Sequence, residues 1–375
     1  MRLALNAWFW NRPDTGSGQY LRQLVAHLPA VAPELEFSLV MPRAEAGVPG
    51  GCTVAVPRRL PAQWGKIWFE QFGFPRACRR LGADVAHVPY WAPPAAPPLP
   101  TVVTIHDLIP LLLREYRGGP GVRAYTAMVA ATARSATLIL TDSESSRRDI
   151  LAHLGVPEER VRAIPLAADG RFRPGPCAED EAVRQRYGLP ERYVLYLGGF
   201  DVRKNVATAL ATYTWAGPAI GTEWPLVVAG RLPQRHSAFI PDPRRQAQAL
   251  QLEPQWVRFI GAVEEADKPA LYRGAVALLF PSRYEGFGLP PLEALACGTP
   301  VVGSNAASVP EVVGAAGVLL DPDDAAGMAG VLIQLAQDPA FHTQLSRSAL
   351  QQAARFSWQR TAQETLAAYR QAVRV

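Results

Sequence analysis

Only four cysteines occur in 375 residues, and Cys52, Cys78, Cys177 and Cys297 lie far apart with no C-x-x-C pair. That spacing argues against a zinc ribbon or a secreted disulfide framework and fits a reducing cytoplasm. Long hydrophobic runs are also missing: Pro, Gly or a charge cuts each one well before the roughly 20 residues a helix needs to cross a bilayer. The opening Met1-Arg2-Leu3-Ala4-Leu5-Asn6 soon meets Asn11, Arg12 and Asp14, so no signal peptide is expected and the expected location is cytoplasmic. Charged residues make up 19% and hydrophobic residues 49%, while the 35 prolines and 30 glycines are dispersed as punctuation, a composition that argues against general disorder.

What is present is enough chain for two cores. Short β-branched runs alternate with helix-length segments in both halves. Strands are expected at Arg2 to Ala7, Phe37 to Met41, Thr101 to Ile105, Thr137 to Thr141 and Val161 to Ile164, then at Tyr193 to Leu197, Leu226 to Ala229, Val257 to Ile260, Val276 to Phe280 and Pro300 to Val302. Such alternation means βαβ crossovers and a parallel sheet in each half, hence an α/β chain of two Rossmann-like domains facing across a cleft. The expected division is 1–168, a linker at 169–190 rich in Pro and Gly, 191–355, and a terminal helix over 356–375 that crosses back to the first domain. Ligands of open α/β sheets bind beyond the carboxyl ends of strands, so chemistry is sought just after each strand.

The formal net charge of +5 favours an anionic partner. Arg58, Arg59, Lys66, Arg76, Arg79 and Arg80 cluster with Trp64, Trp68, Phe69, Phe72 and Phe74. That segment suits either an anionic membrane surface or lipid-linked phosphate, or an amphipathic helix with its aromatics in the core. No nucleic-acid motif accompanies the charge, and no such partner is expected.

The strongest motif runs from Pro281 to Val302. A strand ends at Phe280, the loop Glu285-Gly286-Phe287-Gly288 follows, and Leu289-Pro290-Pro291 opens a helix that Gly298 and Pro300 stop. A glycine loop feeding a helix N-terminus favours a diphosphate, and Glu293, a turn into that helix, joins Glu285 as a hydroxyl acceptor. A second element, Gly198-Gly199-Phe200-Asp201-Val202-Arg203-Lys204-Asn205, places two cations at the mouth of a strand, where they can compensate charge on a departing diphosphate. A third is His106, followed by Asp107, after the strand at Thr101. Its imidazole can bond a sugar hydroxyl, or its neighbouring carbonyl can stabilise a cationic ring.

These residues resemble the retaining, nucleotide-sugar-dependent glycosyltransferases of the GT-B fold called glycosyl transferases group 1. Their signature of two glutamates separated by seven residues, with Gly-Phe-Gly between, is matched by Glu285 and Glu293. The resemblance implies that Glu285 contacts the donor sugar, Glu293 holds the ribose, and Gly286, Phe287, Gly288 and Leu289 line the donor. It likewise puts Arg203 and Lys204 on the phosphates, and Gly198 and Gly199 in the preceding turn are donor-binding candidates with them. His106-Asp107-Leu108-Ile109-Pro110 is similar to a subset that includes many mannosyltransferases, so His106 is a catalytic candidate and GDP-mannose the expected donor. The reaction implied is a metal-independent front-side displacement without a cofactor. The acceptor expected is a saccharide or lipid-linked saccharide in cell-surface polysaccharide synthesis.

Three further features are weighed against this reading. Gly16-Ser17-Gly18 after the first strand invites a dinucleotide site, but Leu21 stands at the third glycine position and no acid ends the next strand, so no dehydrogenase is expected. Gly16 and Gly18 stay as donor-side candidates through the resemblance. Asp321-Pro322-Asp323-Asp324 has metal-binding spacing but precedes a helix, where capping is the better reading. A phosphorylase or sugar-nucleotide epimerase on the same fold, or a non-catalytic sugar-nucleotide-binding subunit, remain the alternatives.

Overall fold

In the computed structural model, residues 1–12, 15–43, 48, 51–57 and 61–374 are described; Asp14, Arg58 and Arg59 lie outside them. The chain divides into two compact units, one formed by Met1–Leu166 with Ser357–Val375 and the other by Ala167–Phe356. Each is built on one parallel sheet.

The first unit holds β1 (Arg2–Asn6), β2 (Glu36–Met41), β3 (Gly51–Thr53), β4 (Val85–Val88), β5 (Thr101–Thr104), β6 (Leu138–Thr141) and β7 (Val161–Ala163), in spatial order β3-β2-β1-β4-β5-β6-β7. The second holds β8 (Tyr193–Leu197), β9 (Leu226–Ala229), β10 (Val257–Gly261), β11 (Ala275–Phe280), β12 (Val301–Ser304) and β13 (Gly317–Leu320), ordered β10-β9-β8-β11-β12-β13. Both orders reverse once, between β1 and β4 and between β8 and β11, and a doubly wound sheet binds its ligand outside such a reversal. Central strands such as β8 and β6 are buried at every residue because helices cover both faces, which explains their continuous apolar runs.

Three strands lack a sequence expectation. β3 has only three residues, β4 carries His87 and β13 starts on a glycine, so none shows a clear β-branched run. The stretch 169–190 is corrected from linker to part of the second unit: it contains the helix Asp180–Arg186, and Phe172, Val183 and Leu189 enter the core. Its prolines stop regular structure without keeping apolar side chains out of the sheet's packing. Phe172, for example, meets Tyr272 edge-on with ring centroids 5.8 Å apart.

The terminal helix Trp358–Arg374 belongs to the first unit and packs on the helix Gly16–Val31. Its buried positions, among them Trp358, Thr361, Thr365, Leu366, Tyr369 and Ala372, recur at helical spacing and form one face. From that face the Tyr369 hydroxyl meets His87 Nδ1 at 2.7 Å, while His87 Nε2 meets Thr104 Oγ1 at 2.8 Å. The imidazole thereby has both nitrogens satisfied in full burial. Burial first, and the nearby His106 second, push its pKa from 6.5 down to about 3.

This group has a defined pH signature. His87 stays neutral in the fold, whereas the unfolded chain takes up a proton once pH drops below about 6.5, so stability falls as pH is lowered from there toward about 3. The expected loss on this account is about 1.4 kcal/mol per pH unit. Urea unfolding of wild type and His87→Gln between pH 7 and 5 should show the variant less stable at pH 7 but flatter with pH; parallel curves would contradict this.

Candidate donor site

The loops leaving β8 and β11 meet at the reversal of the second sheet. Their contact is ionic: Arg203 Nη1 donates to Glu285 Oε2 at 2.7 Å and Lys204 Nζ donates to Glu285 Oε1 at 2.8 Å. Arg203 also donates to the Tyr284 carbonyl at 2.9 Å, and its Nε lies 3.7 Å from Asp201 Oδ1. The Lys204 ammonium sits 5.6 Å from the centroid of the Phe280 ring. Burial alone would raise the pKa of Glu285, but Lys204 and Arg203 outweigh it and hold the carboxyl below its usual value. Glu285 is therefore an anion at neutral pH, able only to accept hydrogen bonds.

Backbone and neutral side chains lock the same loops. The Arg283 amide donates to the Arg203 carbonyl at 2.8 Å. Asn205, in the left-handed region at φ 53°, donates from Nδ2 to the carbonyls of Pro281 at 3.1 Å and Pro322 at 2.7 Å, joining the ends of β11 and β13 to the β8 loop. Ser308 Oγ donates to the carbonyls of Glu285 and Phe287, at 2.9 and 2.6 Å. Tyr196 Oη donates to the Gly199 carbonyl at 2.8 Å and so anchors the turn at Gly198 and Gly199. Sequence reasoning missed Ser308 and Tyr196 altogether. Asn205 had a signal, its place directly after Arg-Lys, but no assigned role.

Gly288 caps the helix Leu289–Ala296 with φ +111°, a conformation a side chain would resist, and Pro290 and Pro291 occupy the first turn, where missing amides cost little. The chain thus turns sharply from the Glu285 loop into a helix N-terminus. Phe287 contributes its ring to packing, edge-on to Phe356 at 6.0 Å, so its side chain anchors the loop. Gly286 is buried and Leu289 half-buried. Glu293 is buried one turn on and accepts from Tyr272 Oη at 2.9 Å. Burial dominates there despite Lys268 and the Tyr272 hydroxyl, and the pKa rises from 4.5 to about 7. The two glutamates of the motif thus have opposite electrostatics: cations hold one as an anion, and burial pushes the other toward its protonated form.

In the first unit, β5 and β6 are neighbours, and their carboxyl ends bring His106 and Asp142 together with Nδ1···Oδ2 at 2.7 Å. The His106 carbonyl accepts from Ser146 Oγ at 3.1 Å and so has a protein partner. Burial disfavours the protonated ring, yet Asp142, then Asp107 and the Pro89 carbonyl, raise its pKa above the ordinary value. Gly16 opens its helix, and a Cβ added there would meet nothing within 4 Å. A Cβ on Gly18 would lie 2.0 Å from the Arg12 carbonyl oxygen, and its amide is engaged by the capping Thr15 Oγ1 at 3.2 Å, so Gly18 serves close packing.

Asp324 caps the helix Ala325–Gln337 by accepting from the Gly327 amide at 2.8 Å. Among the described residues, no group of three or more His, Cys, Asp or Glu side chains is arranged to hold a metal ion. The described part of the basic aromatic segment forms the helices Ala62–Trp68 and Phe74–Arg80, joined by a π-helical turn at Phe69–Gly73. Phe69 and Phe74 are buried, as the reading with aromatics in the core expects, whereas Trp64 and Phe72 are 57% and 58% exposed and Arg76, Arg79 and Arg80 are exposed. No helix among the described residues is long and apolar enough to cross a membrane.

Two parallel doubly wound units with a charged loop junction at the second reversal define a GT-B-type α/β glycosyltransferase. The family model described as glycosyl transferases group 1 matches residues 179–355, that described as Glycosyltransferase Family 4 matches residues 15–170, and the chain belongs to glycosyl transferases group 1. It is 35% identical to the O-antigen chain mannosyltransferase B of Escherichia coli over 72% of this chain and 70% of that protein. It is 32% identical to the serotype-specific mannosyltransferase WbdA of Escherichia coli over 71% of this chain, but this spans only 32% of WbdA. In fold it is similar to sucrose-phosphate synthase from Thermosynechococcus elongatus, with TM-score 0.74, 22% identity and coverage of 99% of this chain and 98% of the other. It is also similar to Anabaena HepE in complex with UDP and glucose, with TM-score 0.73, 17% identity and 98% of each chain covered.

The raised pKa of Glu293 gives a measurable sign. The folded protein holds the proton that the unfolded chain loses above about 4.5, so stability declines as pH rises from there to about 7, by about 1.4 kcal/mol per pH unit. Glu293→Gln removes that slope, and its stability relative to wild type should increase from pH 5 to 7 in chemical unfolding. A difference that stays constant over this range would show that Glu293 titrates normally.

Proposed function

We propose that this glycosyltransferase moves mannose from GDP-mannose to a saccharide or lipid-linked saccharide acceptor, with retention at the anomeric carbon and without a metal, in the synthesis of a cell-surface polysaccharide. The observation that carries the chemistry is the convergence of Arg203 and Lys204 on buried Glu285 where the β8 and β11 loops meet. Two fixed cations there can stabilise the charge that grows on a departing diphosphate, the task a metal performs elsewhere. The His106-Asp107-Leu108-Ile109-Pro110 run and the mannosyltransferase relatives support the choice of sugar.

In the proposed step, the bond from the sugar's C1 to the β-phosphate oxygen breaks while the acceptor oxygen bonds to C1 on the same face. The acceptor's proton passes to the leaving phosphate oxygen, giving GDP and the glycoside. The ring passes through an oxocarbenium-like state. Glu285, paired to two cations, orients a sugar hydroxyl and attacks nothing, unlike the nucleophile of a retaining hydrolase. Glu293 is assigned to the ribose and His106 to the sugar-transfer step. Peripheral contact with an anionic membrane is supported by exposed Trp64 and Phe72 among exposed arginines.

The test is turnover of GDP-mannose beside UDP- and TDP-linked sugars, with methyl α-mannoside as acceptor and the product's anomeric configuration read by NMR. An α-mannoside formed from GDP-mannose at a rate unchanged by EDTA is expected. A UDP-sugar as sole donor, a β-product or loss of activity in EDTA would each overturn the corresponding part. Arg203→Ala and Lys204→Ala should lower kcat by about 10²- to 10³-fold, with a much smaller change in donor Kd. A raised KM with intact kcat would place their effect in ground-state binding. For the membrane, Trp64→Ala with Phe72→Ala should reduce co-sedimentation with phosphatidylglycerol vesicles, and undiminished binding would refute that contact.

A further inference from the structure

His106 is held more tightly than a surface imidazole needs to be, and the residue that holds it was not singled out in the sequence. Asp142 follows β6 directly and is 4% exposed. It directly precedes Ser143, which caps the helix Glu144–Leu154, where an acid also favours the helix N-terminus. In the structure its Oδ2 lies 2.7 Å from His106 Nδ1. We propose that Asp142 is a positioning residue that fixes the His106 ring with Nδ1–H toward its carboxylate and Nε2 presented for the sugar-transfer step. The proposal rests on the assignment of His106 to that step.

The argument is one of donors and acceptors. An ionised carboxylate only accepts, so a contact of this length requires the proton on Nδ1. Nε2 is then the nitrogen left to act; it is buried, and although the Pro89 carbonyl acts on the same ring, no protein group makes a hydrogen bond of good geometry to Nε2. A buried polar atom without a partner is costly, which makes a ligand's polar group its natural complement.

The ring's orientation is fixed from its other sides as well. Tyr20 stands edge-on to it, with centroids 5.2 Å apart and planes at 81°. The Tyr20 hydroxyl accepts from Thr104 Oγ1 at 3.3 Å, and Thr104 in turn contacts His87. The His106 carbonyl is tied by Ser146, whose amide donates to Ser143 Oγ at 3.0 Å, so one strand-to-helix junction grips both the ring and the backbone of His106. The charged or titratable groups acting on the ring are Asp142, Asp107, His87 and Tyr20. Asp107 is already engaged, accepting from the Ile109 amide at 3.0 Å, which leaves Asp142 as the carboxylate in direct contact.

Two readouts test this in the full chain. Asp142→Asn retains shape but loses charge, so the His106 ring, assigned by its loss in His106→Gln, should titrate by NMR at least tenfold lower in proton affinity than in wild type. Turnover of GDP-mannose should fall by about 10- to 100-fold through misorientation, with GDP affinity unchanged. Asp142→Glu should restore part of the titration midpoint; if the asparagine variant does not fold, this variant serves alone, with a shifted midpoint expected. An unmoved midpoint, or a lower melting temperature with unaltered midpoint and pH–rate profile, would overturn the proposal and leave Asp142 a structural residue. If wild type turns over no GDP-mannose, the donor reading fails, and the NMR titration still decides whether Asp142 controls the ring.

Discussion

The second unit depends on one buried carboxylate. Glu285 is the point at which the β8 loop, through Arg203 and Lys204, and the β11 loop are joined, and neither loop has regular structure of its own there beyond a single 3₁₀ turn. Withdrawing three charges from water is expensive, and a buried ion pair rarely improves stability over an apolar replacement. Its presence at the reversal of a doubly wound sheet is therefore better explained by the charge it organises than by the stability it adds. Asn205, Ser308 and Tyr196 donate to the carbonyls of Pro281, Pro322, Glu285, Phe287 and Gly199, which ties down the backbone around the ion cluster.

Preorganisation is the common thread of both units. In the second, Glu285 holds Arg203 and Lys204 in place, so the cations that the proposed reaction sets against a diphosphate need little reorganisation. In the first, a ring that could rotate is held by a carboxylate, a tyrosine edge and a bonded carbonyl. Parallel sheets make this economical. Neighbouring strands end side by side, so residues distant in sequence, such as His106 and Asp142, become adjacent simply because β5 pairs with β6. The two motif glutamates show the complementary effect, since equal chemistry in different surroundings gives one carboxylate held as an anion and another with pKa about 7.

Much of the fold is local information. Ten strands were legible because runs such as Tyr193–Leu197 are apolar on both faces, which is what burial in a parallel sheet demands. The loop-to-helix turn at Gly288 and the cap at Asp324 were legible too, since glycine, proline and aspartate have short-range conformational reasons to be there. Short strands with a polar or glycine residue, β4 and β13, were not, because their burial comes from neighbours rather than from their own pattern.

By itself, then, the sequence determined the α/β class, the positions of most strands and the residue types offered at the strand ends, because each of these follows from periodicity and local backbone preference. Tertiary structure alone decided that Phe172, Val183 and Leu189 of 169–190 enter the core, that Phe287 turns its ring inward and that Gly18 is a packing glycine. It also decided which charges meet. Whether Glu285 faces Arg203 or solvent, and whether His106 finds Asp142 or only its neighbour Asp107, depends on strand order, and strand order is a property of non-local pairing that no short stretch of sequence contains.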